Sequence, residues 1–221
     1  MSPRTNLAKK SRRQISRRDY VSRQDRQALQ IHNFLVPVDF SASSLSAVEF
    51  ALPLIKRFGV SPHLVHVFST DAPFTGLVAM PFVLPELDIG RSVHRRLKDL
   101  AKKYAIELPR ENVHALRGRA FEEICRLARD INIDLIVIAT RGNAGFKHFV
   151  LGSTAERVVR YSPCPVLVTR DCNLPRRATS FRKILVPIDF SQCSMKGLAY
   201  ARALASQSKA TLVLLNSVHF Q

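Results

Sequence analysis

The sequence lacks any apolar run approaching the ~18 residues that a bilayer-crossing helix requires. Its first residues are basic and polar, without the apolar segment of a secretory signal. The four cysteines, Cys125, Cys164, Cys172 and Cys193, show no C-x-x-C spacing and no histidine at zinc-finger distance, which excludes the common zinc and dithiol motifs. Three of them fall within or beside apolar patterns and read as buried or idle reduced thiols. The seven histidines offer no H-E-x-x-H or H-x-x-E-H spacing for a metal. Ser41, Ser43 and Ser44 lie near Asp39, but no G-x-S-x-G elbow accompanies them. These absences predict a cytoplasmic protein that is not an enzyme, with no catalytic residues and no protein metal site.

Acidic residues are also scarce, 17 against 34 Lys and Arg, a net charge of +17. Part of the excess is local. Residues 1–30 hold nine basic residues (Arg4, Lys9, Lys10, Arg12, Arg13, Arg17, Arg18, Arg23, Arg26) against Asp19 and Asp25, a net of +7. A segment so poor in large apolar residues is expected to remain a disordered or weakly helical tail. Counterion release would let it touch nucleic acid or an anionic membrane, although no aromatic interleaving or base-reading motif favours that over a solvated tail.

The whole chain of 221 residues is 46% apolar, enough for one good domain and part of another. Phe34–Val38 is a short apolar strand, and Asp39-Phe-Ser-Ala-Ser supplies helix-start residues. Leu45, Val48, Leu52, Ile55 and Phe58 then form an amphipathic stripe that Gly59 ends. His63–Phe68 reads as a second strand, residues 69–90 as a long loop, and Val93, Leu97, Leu100 and Tyr104 as a second helix. A strand at Val113–Leu116 precedes a helix carrying Phe121, Ile124, Leu127, Ala128 and Ile131, and Glu122-Glu123 favour its dipole. Asp134–Ala139 is the clearest strand, unbroken and apolar as a doubly covered strand should be. A helix near Thr154–Tyr161 is broken by Pro163-Cys-Pro165, and Val166–Val168 is a fifth strand. This alternation predicts an α/β fold with a doubly wound, parallel five-stranded sheet.

A polar linker at 172–180 separates this region, 31–171, from an internal repeat at 181–221. Phe181-Arg-Lys-Ile-Leu-Val-Pro-Ile-Asp-Phe-Ser echoes Ile31-His-Asn-Phe-Leu-Val-Pro-Val-Asp-Phe-Ser position by position, and Thr211-Leu-Val-Leu-Leu-Asn-Ser-Val echoes the second strand. The second copy reaches Gln221 after one strand–helix–strand unit, without the glycine loop of the first. It is expected to form no independent nucleotide site.

That loop, Ala139-Thr-Arg-Gly-Asn-Ala-Gly-Phe-Lys-His-Phe-Val-Leu-Gly-Ser, leaves the carboxyl end of the strongest strand and enters a helix. Ligands of open α/β sheets bind at that rim, and a helix N-terminus suits phosphate. Gly142 and Gly152 permit close backbone approach, Ser153 adds a hydroxyl, and Arg141 and Lys147 add positive charge. Glycines alone would fit any strand-to-helix turn.

The spacing resembles the Gly-x2-Gly-x9-Gly-Ser/Thr loop of ATP-binding members of the universal stress protein family, with Ala139 replacing the first glycine. The flanking Ser153-Thr-Ala-Glu-Arg-Val-Val-Arg, Pro163-Cys-Pro-Val-Leu-Val and Leu35-Val-Pro-Val-Asp-Phe-Ser are similar too, over residues 33–170 and 181–218. The resemblance implies a Rossmann-like, adenine nucleotide alpha-hydrolase-like fold that binds ATP with Mg2+ or Mn2+. By that likeness Pro37, Val38, Asp39 and Val67 border the adenosine, and Ala139, Thr140, Arg141, Gly142, Gly152, Ser153 and Thr154 hold the phosphates. Asp39 reads equally as a helix cap and Val67 as plain core. The family also implies a homodimer, or tandem pairing, through edge strand 166–168. The implied role is a nucleotide-dependent stress sensor or regulator with little or no catalysis, at most slow ATP hydrolysis; the alternative is a nucleotide-independent dimeric scaffold whose basic tail binds nucleic acid or an acidic partner.

Overall fold

The computed structural model describes residues 31–69, 86–140, 152–170 and 181–217. The basic tail 1–30, Arg141, Gly142, Lys147, Cys172 and the linker lie outside them. The chain divides into two compact units, one within 31–180 and one that includes 181–221.

In the larger unit, β1 (Phe34–Pro37), β2 (Pro62–Phe68), β3 (Val113–Arg117), β4 (Leu135–Ala139) and β5 (Val166–Thr169) alternate with α1 (Ala42–Phe58), α2 (Glu86–Lys103), α3 (Ala120–Asp130) and α4 (Ser153–Tyr161). Every strand pair is parallel, in the order β3-β2-β1-β4-β5. This is the predicted doubly wound α/β sheet. Phe34, Leu35, Val36, Leu64, Val65, Ile136 and Val137 are buried, so apolar runs became central strands as burial on both faces demands. Leu35, Val65, Ile136 and Ile138 pack with Ile124, Leu127 and Ala128 of α3 and with Ala155 and Val158 of α4.

Two elements differ from the sequence expectation. The first helix meets the sheet through Ser44, Ala47, Val48, Ala51, Leu54 and Ile55, while Leu45, Leu52 and Phe58 are half-buried beside that face. Small side chains let the helix approach the strands closely, and Phe58 still reaches Phe34, ring centroids 5.6 Å apart. The second helix begins at Glu86, inside the stretch expected to be loop through residue 90. Val93, Leu97 and Leu100 face the core as predicted.

The smaller unit is β6 (Lys183–Pro187), α5 (Gln192–Ser208) and β7 (Thr211–Leu215), with the two strands parallel. It copies β1–α1–β2 closely. Ile188 N–H donates to Leu215 C=O at 2.7 Å as Val38 N–H does to Val65 C=O at 2.8 Å. Asn216 Nδ2 bonds Ile188 C=O at 2.6 Å where His66 Nδ1 bonds Val38 C=O at 2.7 Å. No helix among the described residues is long and apolar enough to cross a membrane.

Candidate functional site

The order β3-β2-β1-β4-β5 reverses direction between β1 and β4, and crossovers diverge at that point to leave a crevice above the strand carboxyl ends. A cavity of about 310 Å³ lies there, within the usual range of ligand pockets. Its lining includes Pro37, Val38, Asp39, Val67, Ala139, Thr140, Gly152, Ser153 and Thr154, nine of the eleven residues that the sequence singled out. The other two, Arg141 and Gly142, lie outside the described residues.

One end of the cavity is built on the turn after β1. Asp39 Oδ1 accepts the Ser41 N–H at 2.9 Å, while Ser41 Oγ accepts the Ser44 N–H at 3.2 Å. Ser41 is therefore the N-cap of α1, and Asp39 braces the turn one step earlier. The Ser44 hydroxyl closes the arrangement, donating to Ser41 C=O at 3.1 Å and accepting Asp39 N–H at 3.3 Å. Burial pushes the Asp39 carboxyl upward, but hydrogen bonds from Ser41 and Ser44 outweigh it, and the group lies below its ordinary value. Asp39 is thus a fixed anion at neutral pH.

Between Asp39 and Ser41, Phe40 holds φ 62°, a left-handed conformation costly for a residue with a Cβ. Its ring is flanked by His66, centroids 4.9 Å apart, and by the Arg96 guanidinium, 3.9 Å away. His66 is itself bonded to Val38 C=O, so it is a satisfied structural histidine.

The opposite end is the start of α4. Gly152 N–H donates to Thr140 C=O at 2.6 Å, which ties the end of β4 to the beginning of the helix across the intervening loop. Gly152 occupies the N-cap position with φ −58° and supplies no side-chain cap. The first N–H groups of α4 therefore have no side-chain acceptor from the cap, and the hydroxyls of Ser153 and Thr154 stand beside them. Ala139 lies in β4 and is absent from the positive-φ residues, so its methyl causes no backbone strain where a glycine was expected.

The walls come from Val65, Ala120, Ile124, Ile138 and Ala155, with Ser44 at the polar end; the sequence reading had assigned none of these to the site. Ala120 and Ile124 sit on the first turn and a half of α3, distant in sequence, and only the crossover brings them over β2 and β4. The cavity thus combines apolar walls with the Asp39 carboxylate and with the N–H and hydroxyl donors at the start of α4. Among the described residues no cluster of three His, Cys, Asp or Glu is placed to hold a metal. Cys125 and Cys164 are free thiols whose values burial raises, so both are held as thiols.

A 3-2-1-4-5 parallel sheet with a cavity at its switch point defines an open, doubly wound α/β domain. The sequence profile of the Universal stress protein family matches residues 30–170 and again 180–221, and the chain belongs to that family. A universal stress protein of Methanocaldococcus jannaschii is 32% identical over 140 residues, 62% of this chain and 80% of its own. The universal stress protein YxiE of Bacillus subtilis is 30% identical over 147 residues, 63% of this chain and 99% of its own. Among solved structures, a universal stress protein of Archaeoglobus fulgidus has the same fold, with TM-score 0.61 at 23% identity, over 85% of this chain and 66% of that one.

Proposed function

We propose that the cavity binds an adenine nucleotide, ATP with Mg2+ or Mn2+, and that occupancy makes the protein a nucleotide-dependent stress sensor or regulator with little or no catalysis. The observation that carries this reading is the polarity of the cavity. A carboxylate held ionised suits the hydroxyl and amino donors of an adenosine, and apolar walls suit the base. The start of α4, with Ser153 and Thr154, suits the phosphates. A divalent cation would arrive on those phosphates, since Mg2+ keeps most of its waters and needs only one or two protein oxygens; the Ser153 and Thr154 hydroxyls are the ones at hand. It would neutralise phosphate charge there. We place the protein in the cytoplasm and expect the edge strand β5 to pair with a second copy, since an uncovered edge invites pairing.

The test is calorimetric titration of the full chain with Mg-ATP, repeated on Gly152→Val. Gly152 has an ordinary negative φ, so valine fits the backbone while its side chain obstructs the approach to the α4 N-terminus. Micromolar binding in the parent chain and its loss in the variant is the expected pair of results. Absence of heat in the parent chain refutes the reading.

A further inference from the structure

On and beside α3 and α4, Arg119 lies near Glu122, Arg126 near Glu123 and Asp130, and Arg160 near Glu156, while Arg129 and Arg157 take part in no ion pair among the described residues. Helix α2 gathers its cations in a longer row. Arg91, Arg95, Lys98 and Lys102 follow one another at spacings of four, three and four, which places them within an arc of about 60° at about 100° per residue. Val93, Leu97 and Leu100 are buried on the other side of the helix. Four cations therefore form a row about 16 Å long, at ~1.5 Å per residue, pointing away from the core. Arg95 and Lys102 are exposed and Lys98 is half-buried, and none of these three takes part in an ion pair among the described residues. Asp99 is the single acidic residue between 89 and 103, and it flanks the row. The positive field also reaches inward. His94, on the same helix, is lowered first by burial and then by Lys98 and Arg110.

We infer that this row on α2 is a docking surface for the phosphate backbone of a nucleic acid. A line of cations, three of which (Arg95, Lys98 and Lys102) form no ion pair among the described residues, complements a linear polyanion, and each neutralised phosphate releases counterions. Arginine adds a planar fork matched to phosphate. A membrane surface fits less well, because a helix that lies in a lipid interface inserts an apolar face, and that of α2 is already buried against the sheet. The inference is independent of the nucleotide reading, since the row lies outside the residues that line the cavity.

The test measures binding of the full chain to a fluorescently labelled 20-bp DNA duplex across a series of salt concentrations. The parent is compared with the triple variant Arg95→Gln/Lys98→Gln/Lys102→Gln. Residues 1–30 are intact in both, so the difference reports the row alone. The log–log salt slope should become shallower by about 2 to 3, from ~0.9 per lost phosphate contact. The charge-keeping variant Arg95→Lys/Lys98→Arg/Lys102→Arg should retain most of the parent slope. An unchanged slope in the neutralised variant overturns the proposal. So does a variant that loses binding to phosphatidylserine vesicles while its duplex binding stays intact.

Discussion

Replacing Asp39 by asparagine separates the two tasks this residue can perform. In the turn, Oδ1 accepts the Ser41 N–H at 2.9 Å, and an asparagine carbonyl accepts the same bond. The fold should therefore lose less than about 1 kcal/mol, as for an ordinary surface change. Ligand binding should respond more strongly. A hydrogen bond to a charged group contributes about 1.5–3 kcal/mol, against about half that for a neutral pair. If the carboxylate accepts a donor from the adenosine, the difference of about 0.75–1.5 kcal/mol means that Asp39→Asn should weaken Mg-ATP binding by about 3-fold to about 12-fold. The folded carboxyl lies below 3.8, so Asp39 is ionised throughout pH 5–8 and should add no pH dependence to affinity there. Stability derived from that lowering is present above the unfolded value and is lost only as pH falls through the folded one. Calorimetry on both proteins at pH 5, 6.5 and 8, with a chemical denaturation curve for each, measures both effects. Equal affinity of parent and variant would refute the ligand role and leave Asp39 as a turn brace. A binding transition between pH 5 and 8 that vanishes in the variant would refute the account of its ionisation.

Other outcomes follow from the same structure. Leu64 in β2 is fully buried whereas its repeat counterpart Leu214 is 56% exposed, so Leu64→Ala should cost about 2–5 kcal/mol and Leu214→Ala under about 0.5 kcal/mol by denaturation; equal losses would refute the burial argument. His114 Nε2 lies 3.1 Å from His63 Nδ1, and burial with the neighbouring His63 and His94 pushes its value down to about 4. The unfolded chain therefore binds the extra proton below about pH 6.5, and stability should decline as pH falls from there toward 4. Urea midpoints at pH 7 and pH 5 should differ less in His114→Gln than in the parent.

The parts of this architecture written in short-range pattern were legible. β4 was evident because five consecutive apolar residues bounded by polar ones have one economical solution, a strand covered on both faces. The rim of the cavity followed, since glycine-flanked loops leaving such strands lie at the ligand edge of an open sheet. The start of α2 was missed although Pro85 and the acidic Glu86 and Asp88 signal a helix beginning; the prolines of the preceding stretch drew attention to loop instead. Val48 and Ile55 of the predicted α1 stripe are buried, but Ser44, Ala47 and Ala51 share that face, and their small size gives no apolar periodicity to read. Ala120 and Ile124 carry no local mark of a site at all, because their position depends on where α3 crosses the sheet.

The repeat shows which properties of the site belong to the turn and which to the surrounding fold. Asp189 Oδ1 accepts Ser191 N–H at 2.9 Å, and Ser191 Oγ caps α5 by accepting Ser194 N–H at 3.1 Å, the same bonds made by Asp39, Ser41 and Ser44. Phe190 adopts φ 64° as Phe40 adopts 62°. An eleven-residue pattern is therefore enough to dictate the turn, including a left-handed phenylalanine, without help from a complete sheet. The environments differ. Phe40 lies between His66 and Arg96, whereas Phe190 is 76% exposed. Hydrogen bonds from Ser191 and Ser194 lower Asp189 to about 2 with little opposition, while at Asp39 burial pulls upward against the same bonds. The turn creates the anion in both copies; Asp189 lines an open hollow with Ile188, Ala201 and Leu215, whereas Asp39 lines the cavity of the first copy. There β4, α3 and α4 supply a cavity in which a partly desolvated carboxylate has more to gain from a ligand's donors than it would in water.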